Sequence, residues 1–85
     1  MTPLHYAVDR GLYDIASLLI KNGANVNAQD DNGDTPLMLA VTCEFEEIVT
    51  LLLELGADVN LVNSSKESVL TMDAPEEIKM LLVSH

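Results

Sequence analysis

The stretch Thr2-Pro3-Leu4-His5-Tyr6-Ala7 returns thirty-three residues later as Thr35-Pro36-Leu37-Met38-Leu39-Ala40. The segment Gly23-Ala24-Asn25-Val26-Asn27 returns at the same spacing as Gly56-Ala57-Asp58-Val59-Asn60. A fixed period of this length is typical of stacked supersecondary units, each of which contacts only its neighbours. The repeat therefore decides the fold, and it directs the question of function towards what the surface of the stack binds.

A tight turn and the start of a helix can be read at the beginning of the second copy. Residues 30–34 include Asn and Gly, which tolerate positive φ, and Asp, whose side chain bonds the local backbone. Thr35 can then cap a helix with its hydroxyl, and Pro36 suits the first helical position because no N–H is needed there. We expect this first helix to run to about Cys43 and a second helix to begin near Glu46.

The other two copies follow from the second by their spacing. The first is expected to contain helices at about Pro3–Asp9 and Tyr13–Lys21, without a leading turn of its own. The third is three residues shorter between its two helices, and Asp73 with Glu76 forms a capping-box signature for a last helix at 74–83. We therefore expect a single repeat domain with three units, an N-terminally truncated unit at 1–34, a complete unit at 35–67 and a degenerate C-terminal cap at 68–85.

Acidic residues are concentrated in the middle of the chain. The 85 residues include 14 Asp and Glu against 4 Lys and Arg, a formal net charge of −10. Residues 30–60 contain eight of these acids and no Lys or Arg. Such a surface repels nucleic-acid phosphates and anionic lipid and attracts basic partners, so we expect no nucleic-acid partner and no membrane insertion. The alternative is that the acids only keep a repeat protein soluble.

The sequence contains no recognisable catalytic, metal or cofactor site. Cys43 is the only cysteine, so it has no internal disulfide partner, and the acids that follow it disfavour a thiolate. No Cys/His set fits zinc, the acidic turn at 30–34 lacks the terminal ligands of a calcium loop, and His5 has no nucleophile at recognisable spacing. We expect a protein that is not an enzyme and needs no cofactor. The lone cysteine and the absence of a secretory signal favour an intracellular location, cytoplasmic or nuclear.

These motifs resemble those of the ankyrin repeat family. Thr2-Pro3-Leu4-His5-x-Ala7 matches the family signature in full, the second copy matches with Met38 in the His place, and the Gly-Ala-x-Val-Asn segments match the helix exit. The resemblance covers essentially the whole chain. It implies an all-α ankyrin solenoid of stacked antiparallel helix pairs with hairpin-like turns projecting at one edge. It also implies a non-catalytic scaffold for protein binding, in which His5 ties one repeat's turn to the next through backbone hydrogen bonds.

Two positions depart from the family pattern at places where glycine is expected. Glu44 stands where the first unit has Gly11, and Lys66 stands where the second unit has Gly33. A side chain at such a position strains a backbone that needs positive φ. We therefore expect the helix link at Glu44 and the turn at Lys66 to be strained or differently shaped.

The resemblance also implies a recognition surface. In ankyrin repeats the turn tips and the exposed side of the first helices form a concave face. Four of the residues that map to this face are acidic and one is basic, which implies an acidic concave face for a basic or amphipathic protein or peptide. The twelve residues are Asp9, Arg10, Gln29, Asp31, Asn32, Asp34, Thr42, Cys43, Val62, Ser64, Ser65 and Glu67.

A second interpretation is a structural role. The run Thr42-Cys43-Glu44-Phe45, followed by a truncated final unit, looks like the ankyrin tails of some acyl-CoA-binding-domain proteins. The chain would then be the structural or self-associating C-terminal tail of a larger protein, such as an acyl-CoA-binding protein. The outer side of Tyr6, Val8 and Ile15 has no covering repeat, so we expect either that further repeats precede residue 1 or that this exposed N-terminal repeat face self-associates.

Overall fold

Two helix pairs and one single helix form the stack. The computed structural model describes residues 2–84, which contain five α-helices and no strand. The first and second helices pack against each other, as do the third and fourth, and the fifth packs on the fourth. The predicted all-α stack of helix pairs is therefore confirmed. None of the helices in residues 2–84 has the length and apolar character of a membrane span. The helices are α1 (Pro3–Asp9), α2 (Tyr13–Lys21), α3 (Pro36–Thr42), α4 (Glu46–Glu54) and α5 (Glu76–Ser84).

Threonine caps begin the first helix of each pair. The Thr2 hydroxyl accepts a hydrogen bond from the His5 N–H at 3.3 Å, and the Thr35 hydroxyl accepts one from the Met38 N–H at 3.2 Å. A proline follows each threonine at the start of the helix, where its missing N–H costs nothing. These caps fix where α1 and α3 begin, and the predicted bounds of the first four helices are confirmed.

The core lies between α1, α3 and α4. Helix α2 buries only Ala16, whereas α4 buries five of its nine residues, because α4 is covered by both α3 and α5. The core is aliphatic, and the buried methionine Met38 is part of it. Its side chains are those of Leu4, Ala7, Val8, Ala16, Leu37, Met38, Ala40, Val41, Ile48, Val49, Leu51, Leu52, Leu53, Val69, Ile78 and Leu82.

The third unit differs from the prediction in two respects. Its first helix is absent, and residues 68–75 form turns instead. The last helix begins at Glu76 and not at residue 74, so the capping role expected of Asp73 is wrong. Pro75 is the physical reason, because it has no N–H and disfavours the helical conformation at Ala74. The Pro75 carbonyl accepts the Lys79 N–H at 3.0 Å, the first hydrogen bond of α5.

The expected strain at the two non-glycine positions is confirmed. Glu44 has φ 60° and Lys66 has φ 62°, close to the 70° of Gly11 and the 76° of Gly33. The helix link and the turn thus keep the same geometry as in the preceding unit. The side chains at Glu44 and Lys66 are therefore held in a conformation that costs an L-residue about 1 kcal/mol.

Candidate protein-binding surface

The turns and the helix links lie at opposite ends of the helix pairs. The first turn leads into α3 and the second leads into residues 68–75, which take the place of a first helix. The links at 10–12 and 43–45 join the end of a first helix to the start of a second, and residues 73–75 lead into α5. A seven-residue helix is about 10 Å long at about 1.5 Å per residue, so the two edges are separated by at least that distance. We call residues 29–34 and 62–67 the turn edge, and residues 10–12, 43–45 and 73–75 the link edge.

The two turns of the turn edge have the same backbone hydrogen bonds. In the first, the Gly33 N–H donates to the Asp30 carbonyl at 2.8 Å and the Asp30 N–H donates to the Asp34 carbonyl at 3.0 Å. In the second, the Lys66 N–H donates to the Asn63 carbonyl at 2.9 Å. The turn predicted at 30–34 is therefore present, and it repeats one unit later.

Hydrogen bonds also join one turn to the next. The Ser64 N–H donates to the Asn32 carbonyl at 2.9 Å. The Gln29 side-chain amide donates to the Val62 carbonyl at 2.8 Å and to the Gly33 carbonyl at 2.9 Å. Four of these five residues, all except Gly33, belong to the predicted recognition face, and these hydrogen bonds hold them in a fixed relative position.

The acids of the first turn do not all point to solvent. Asp30 Oδ1 accepts the N–H groups of Asn32 and Asp34, both at 2.9 Å. Burial by itself raises the pKa of Asp30, but these backbone hydrogen bonds outweigh it and hold the pKa below its usual value. Asp34 Oδ1 accepts the Asn63 side-chain amide at 3.0 Å. Two carboxylates thus stabilise the turn edge, and Asp31 is the exposed acid of its first turn.

His5 joins the first helix pair to the turn of the second. Its imidazole is fully buried, and its Nε2 lies 2.7 Å from the Asp34 carbonyl oxygen. The Thr2 N–H donates to Nδ1 of the same ring at 3.2 Å. The structural role predicted for His5 is therefore confirmed. In the second unit Met38 takes this place, and its Sδ accepts the Thr35 N–H at 3.5 Å.

The remaining residues of the predicted face lie at the other end of the first helices. Asp9 and Thr42 are the last residues of α1 and α3, and Arg10 and Cys43 are their C-caps. Burial raises the pKa of the Cys43 thiol, and the charge of the nearby Asp9 raises it further. The Arg10 guanidinium lies 5.0 Å from the centre of the Tyr6 ring.

The twelve predicted residues therefore form two groups. Eight lie on the turn edge and four lie at the C-terminal ends of α1 and α3, with the exposed Tyr6 and the half-buried Leu39 between them. Most of the twelve are exposed, whereas Asp34 and Cys43 are half-buried. No group of three or more His, Cys, Asp or Glu side chains within residues 2–84 is placed to hold a metal ion.

Asn63 is a residue of this surface that the sequence reasoning missed. Its side-chain amide donates to Asp34, and its Oδ1 accepts the N–H groups of Ser65 at 2.9 Å and Glu67 at 3.0 Å. The signal was present, because Asn63 stands one repeat after Asp30, whose carboxylate binds the first turn in the same way. Asn63 is thus the residue that orders the second turn.

Comparison with known proteins establishes the class. Residues 1–63 match the family model for ankyrin repeats in three copies. The chain therefore belongs to the ankyrin repeat family, whose members are in general protein–protein interaction modules and typically have no catalytic activity.

The particular relatives are repeat proteins of greater length, two of them viral. The ankyrin repeat protein OPG189 of vaccinia virus is 57% identical over 35 residues, which are 41% of this chain and 6% of the viral protein. The monkeypox virus protein of the same name is similar to the same extent. The crystal structure of the ankyrin repeat domain of Bcl-3, described as a unique member of the IkappaB family, superposes with a TM-score of 0.93 at 30% identity. That match covers 96% of this chain and 36% of the Bcl-3 chain, so the chain spans a minor part of these relatives.

Proposed function

We propose that this chain is a non-catalytic protein-binding module that presents its acidic concave face to a basic or amphipathic partner. The face consists of the twelve residues predicted above, from the turn edge across α1 and α3 to their C-terminal ends. The single observation that carries the proposal is the hydrogen bonding between turns, which fixes the tips while Asp31, Asn32, Ser64 and Ser65 remain exposed. A rigid, pre-ordered surface loses little conformational entropy on binding.

Charge and apolar contact have separate roles in this proposal. The exposed carboxylates of Asp9 and Asp31 would raise the rate of encounter with a basic partner. Tyr6 and Val62 are about half exposed, at 52% and 50%, and would supply the buried contacts that hold the complex. The module would consist of the units 1–34 and 35–67 with a capping unit at 68–85. The presence of one helix, α5, in this last unit supports its assignment as a cap. We propose that the module acts in an intracellular setting.

The test uses an amphipathic helical peptide of about fourteen residues, with lysines on one side and leucines on the other, which spans about 21 Å. We expect the double variant Asp9→Asn/Asp31→Asn to bind this peptide more weakly at low salt and the difference to shrink as salt rises. Glu54→Lys changes the net charge by the same amount on an exposed site of α4 outside the face, and it should bind like the parent chain. Equal weakening by both variants would show a general charge effect and would contradict the proposal.

A second candidate function is the structural or self-associating tail. The observation that favours it is the row of exposed apolar residues on the outer side of the first pair, where Ile15 is 49% and Leu18 61% exposed. Val8, which we expected in this row, is fully buried, because α1 packs against both α2 and α3 and Val8 belongs to the core. The comparisons give no support to the acyl-CoA-binding resemblance, which stays a prediction.

Sedimentation velocity distinguishes this candidate from a monomeric binding module. If the outer side self-associates, the sedimentation coefficient should rise with protein concentration, and Ile15→Lys/Leu18→Lys should abolish the rise. The exposed Val83 of α5 provides the control variant Val83→Lys at the other end of the stack. A monomer at every concentration would exclude self-association.

A further inference from the structure

The link edge contains a groove that the proposed concave face does not include. Its volume is about 300 Å³, and it is open to solvent. It lies between the start of α2 and the start of α4, at the end of the helix pairs away from the turn edge. Gly11, Tyr13, Phe45, Glu46, Glu47 and Ile48 line it.

The Phe45 ring forms an aromatic floor in this groove, because Gly11 has no side chain that would push the ring away. A Cβ atom at Gly11 would lie 3.2 Å from Cζ of the Phe45 ring, so the ring packs directly over the Gly11 backbone. Ile48 is buried beneath it, and Tyr13 stands beside it with 40% of its surface exposed. Two aromatic rings are therefore available to a side chain that enters from solvent.

A second groove of about 310 Å³ follows one unit further along the link edge. Glu44, Glu46, Pro75, Glu77 and Ile78 line it, so Glu46 lies between the two grooves and belongs to both. Packed helices are about 8–10 Å apart, and a chain in the extended polyproline II conformation advances about 3.1 Å per residue with three residues per turn. Such a segment laid along the link edge would therefore present side chains three residues apart on the same side, into successive grooves.

The rims of both grooves are negative. Glu44, Glu46, Glu47 and Glu77 are exposed, and no basic side chain lines either groove. Their carboxylates differ from those of the turn edge, because Asp30 and Asp34 accept hydrogen bonds within the turns and these four accept none within residues 2–84. Three of these acids, Glu46, Glu47 and Glu77, lie in the first turns of α4 and α5, where a negative charge stabilises the positive end of the helix dipole. That role does not need an aromatic ring beside them.

We propose that the link edge is a second docking site, which binds an extended basic segment of a partner protein with two arginines about three residues apart. Arginine fits better than lysine, because its planar guanidinium stacks on an aromatic ring while it pairs with a carboxylate. The first arginine would lie over Phe45 and Tyr13 beside Glu46 and Glu47, and the second would lie between Glu44 and Glu77. The chain already contains one such contact, the Arg10 guanidinium over the Tyr6 ring.

The test is a titration of the full 85-residue chain, labelled with nitrogen-15, with an acetylated and amidated glycine–serine peptide that carries two arginines three residues apart. It is run near physiological ionic strength, where charges separated by more than about 8 Å are screened. We expect the amide signals of Gly11, Tyr13, Phe45 and Glu46 to shift and those of the turn edge to stay. The same peptide with citrulline in place of arginine, which keeps the shape and loses the charge, should not shift them.

Variants separate this site from the concave face. Glu46→Gln/Glu47→Gln should weaken the peptide roughly tenfold, the effect of losing two exposed charge pairs. Asp9→Asn/Asp31→Asn and Glu54→Lys change the net charge equally and should leave the affinity within about twofold, since they lie outside the grooves. Tyr13→Leu should also weaken binding, because it removes an aromatic ring and no charge. Melting curves of each variant show whether it is folded.

Three results would overturn the proposal. They are equal weakening by all three charge variants, shifts centred on the turn edge, and no shift at any peptide concentration. Because the amphipathic peptide of the proposed function is tested with the same variants, the two sites can fail separately. A failure to bind the arginine peptide would contradict the link-edge site and not the concave face. A failure to bind the amphipathic peptide would contradict the concave face and not the link-edge site.

Discussion

The buried imidazole of His5 donates a hydrogen bond from Nε2 to the backbone carbonyl oxygen of Asp34 over 2.7 Å. A carbonyl oxygen can only accept, so Nε2 carries the proton, and Nδ1 is free to accept the Thr2 N–H at 3.2 Å. One neutral ring therefore caps its own helix and fixes the turn of the next unit. The concave face depends on this contact, because the residues of the turn edge are positioned by it.

Removing the imidazole should destabilise the whole stack. We expect His5→Ala to lower the free energy of unfolding by about 3 kcal/mol, because buried polar groups lose their partners and a cavity remains. His5→Gln, whose side-chain amide can reach the same carbonyl, should restore about half of the loss. Urea denaturation followed by circular dichroism measures both. A glutamine variant no better than alanine would show that the bond to Asp34 is not the important contact.

The second unit lacks this contact and can be given it. Met38 occupies the equivalent position, is 2% exposed and bonds only within its own helix start. We expect Met38→His to raise the free energy of unfolding by about 1 kcal/mol, the usual value of one added hydrogen bond, by donating to the Glu67 carbonyl. Met38→Leu is the control without a donor. A histidine variant less stable than the leucine variant would contradict the repeat equivalence of the two positions.

Two glycines with positive φ should respond differently to alanine. At Gly33 a Cβ atom would lie 2.9 Å from the backbone nitrogen of Ser64, whereas at Gly23 nothing lies within 4 Å. Gly23→Ala should cost about 1 kcal/mol for the backbone conformation alone. Gly33→Ala should cost at least about 1 kcal/mol more, because the two turns must also move apart. Equal losses, measured by thermal unfolding, would mean that the turns are not in close contact.

The strained Lys66 offers a stabilising substitution. Its φ of 62° suits glycine, so we expect Lys66→Gly to stabilise the chain by about 0.5–1 kcal/mol. Lys79→Gly makes the same chemical change on the exposed surface of α5 and should destabilise by about 1 kcal/mol. Opposite signs for the two variants are the expected result of denaturant titration. Losses in both would show that Lys66 is not strained in solution.

The carboxylate of Asp30 should make stability depend on pH. Its pKa in the folded chain is below the ordinary value of 3.8, because the net effect of backbone hydrogen bonds outweighs burial. A lowered folded pKa contributes stability that is fully present above the unfolded pKa and is lost as pH falls through the folded pKa. Asp30→Asn should therefore lower the melting temperature by about 3 °C at neutral pH, and the difference should shrink below about pH 4. Asp31→Asn is the matched control, and a difference independent of pH would contradict the assignment.

The fold was largely predictable because the repeat carries its own start and stop signals. Thr2, Thr35 and the prolines after them fixed where α1 and α3 begin. The third unit was mispredicted because Pro75 outweighs the capping signature of Asp73, a conflict between two local rules. The hydrogen bond between the Asp34 carboxylate and the Asn63 side chain was not predictable, because Asn63 is brought close only by stacking of the turns. The first link-edge groove likewise arises where Gly11 meets Phe45 across two units.

Binding of basic or amphipathic partners by the proposed acidic concave face is tested most directly by chemical-shift mapping. The nitrogen-15-labelled chain is titrated with the amphipathic lysine–leucine peptide. We expect shifts at Gln29, Asp31, Asn32, Val62 and Ser64 and around Asp9 and Thr42, with weaker binding in Asp9→Asn/Asp31→Asn than in Glu46→Gln/Glu47→Gln. Shifts confined to α2, α5 or the groove residues Gly11, Phe45 and Glu46, or an absence of shifts at saturating peptide, would contradict this binding mode.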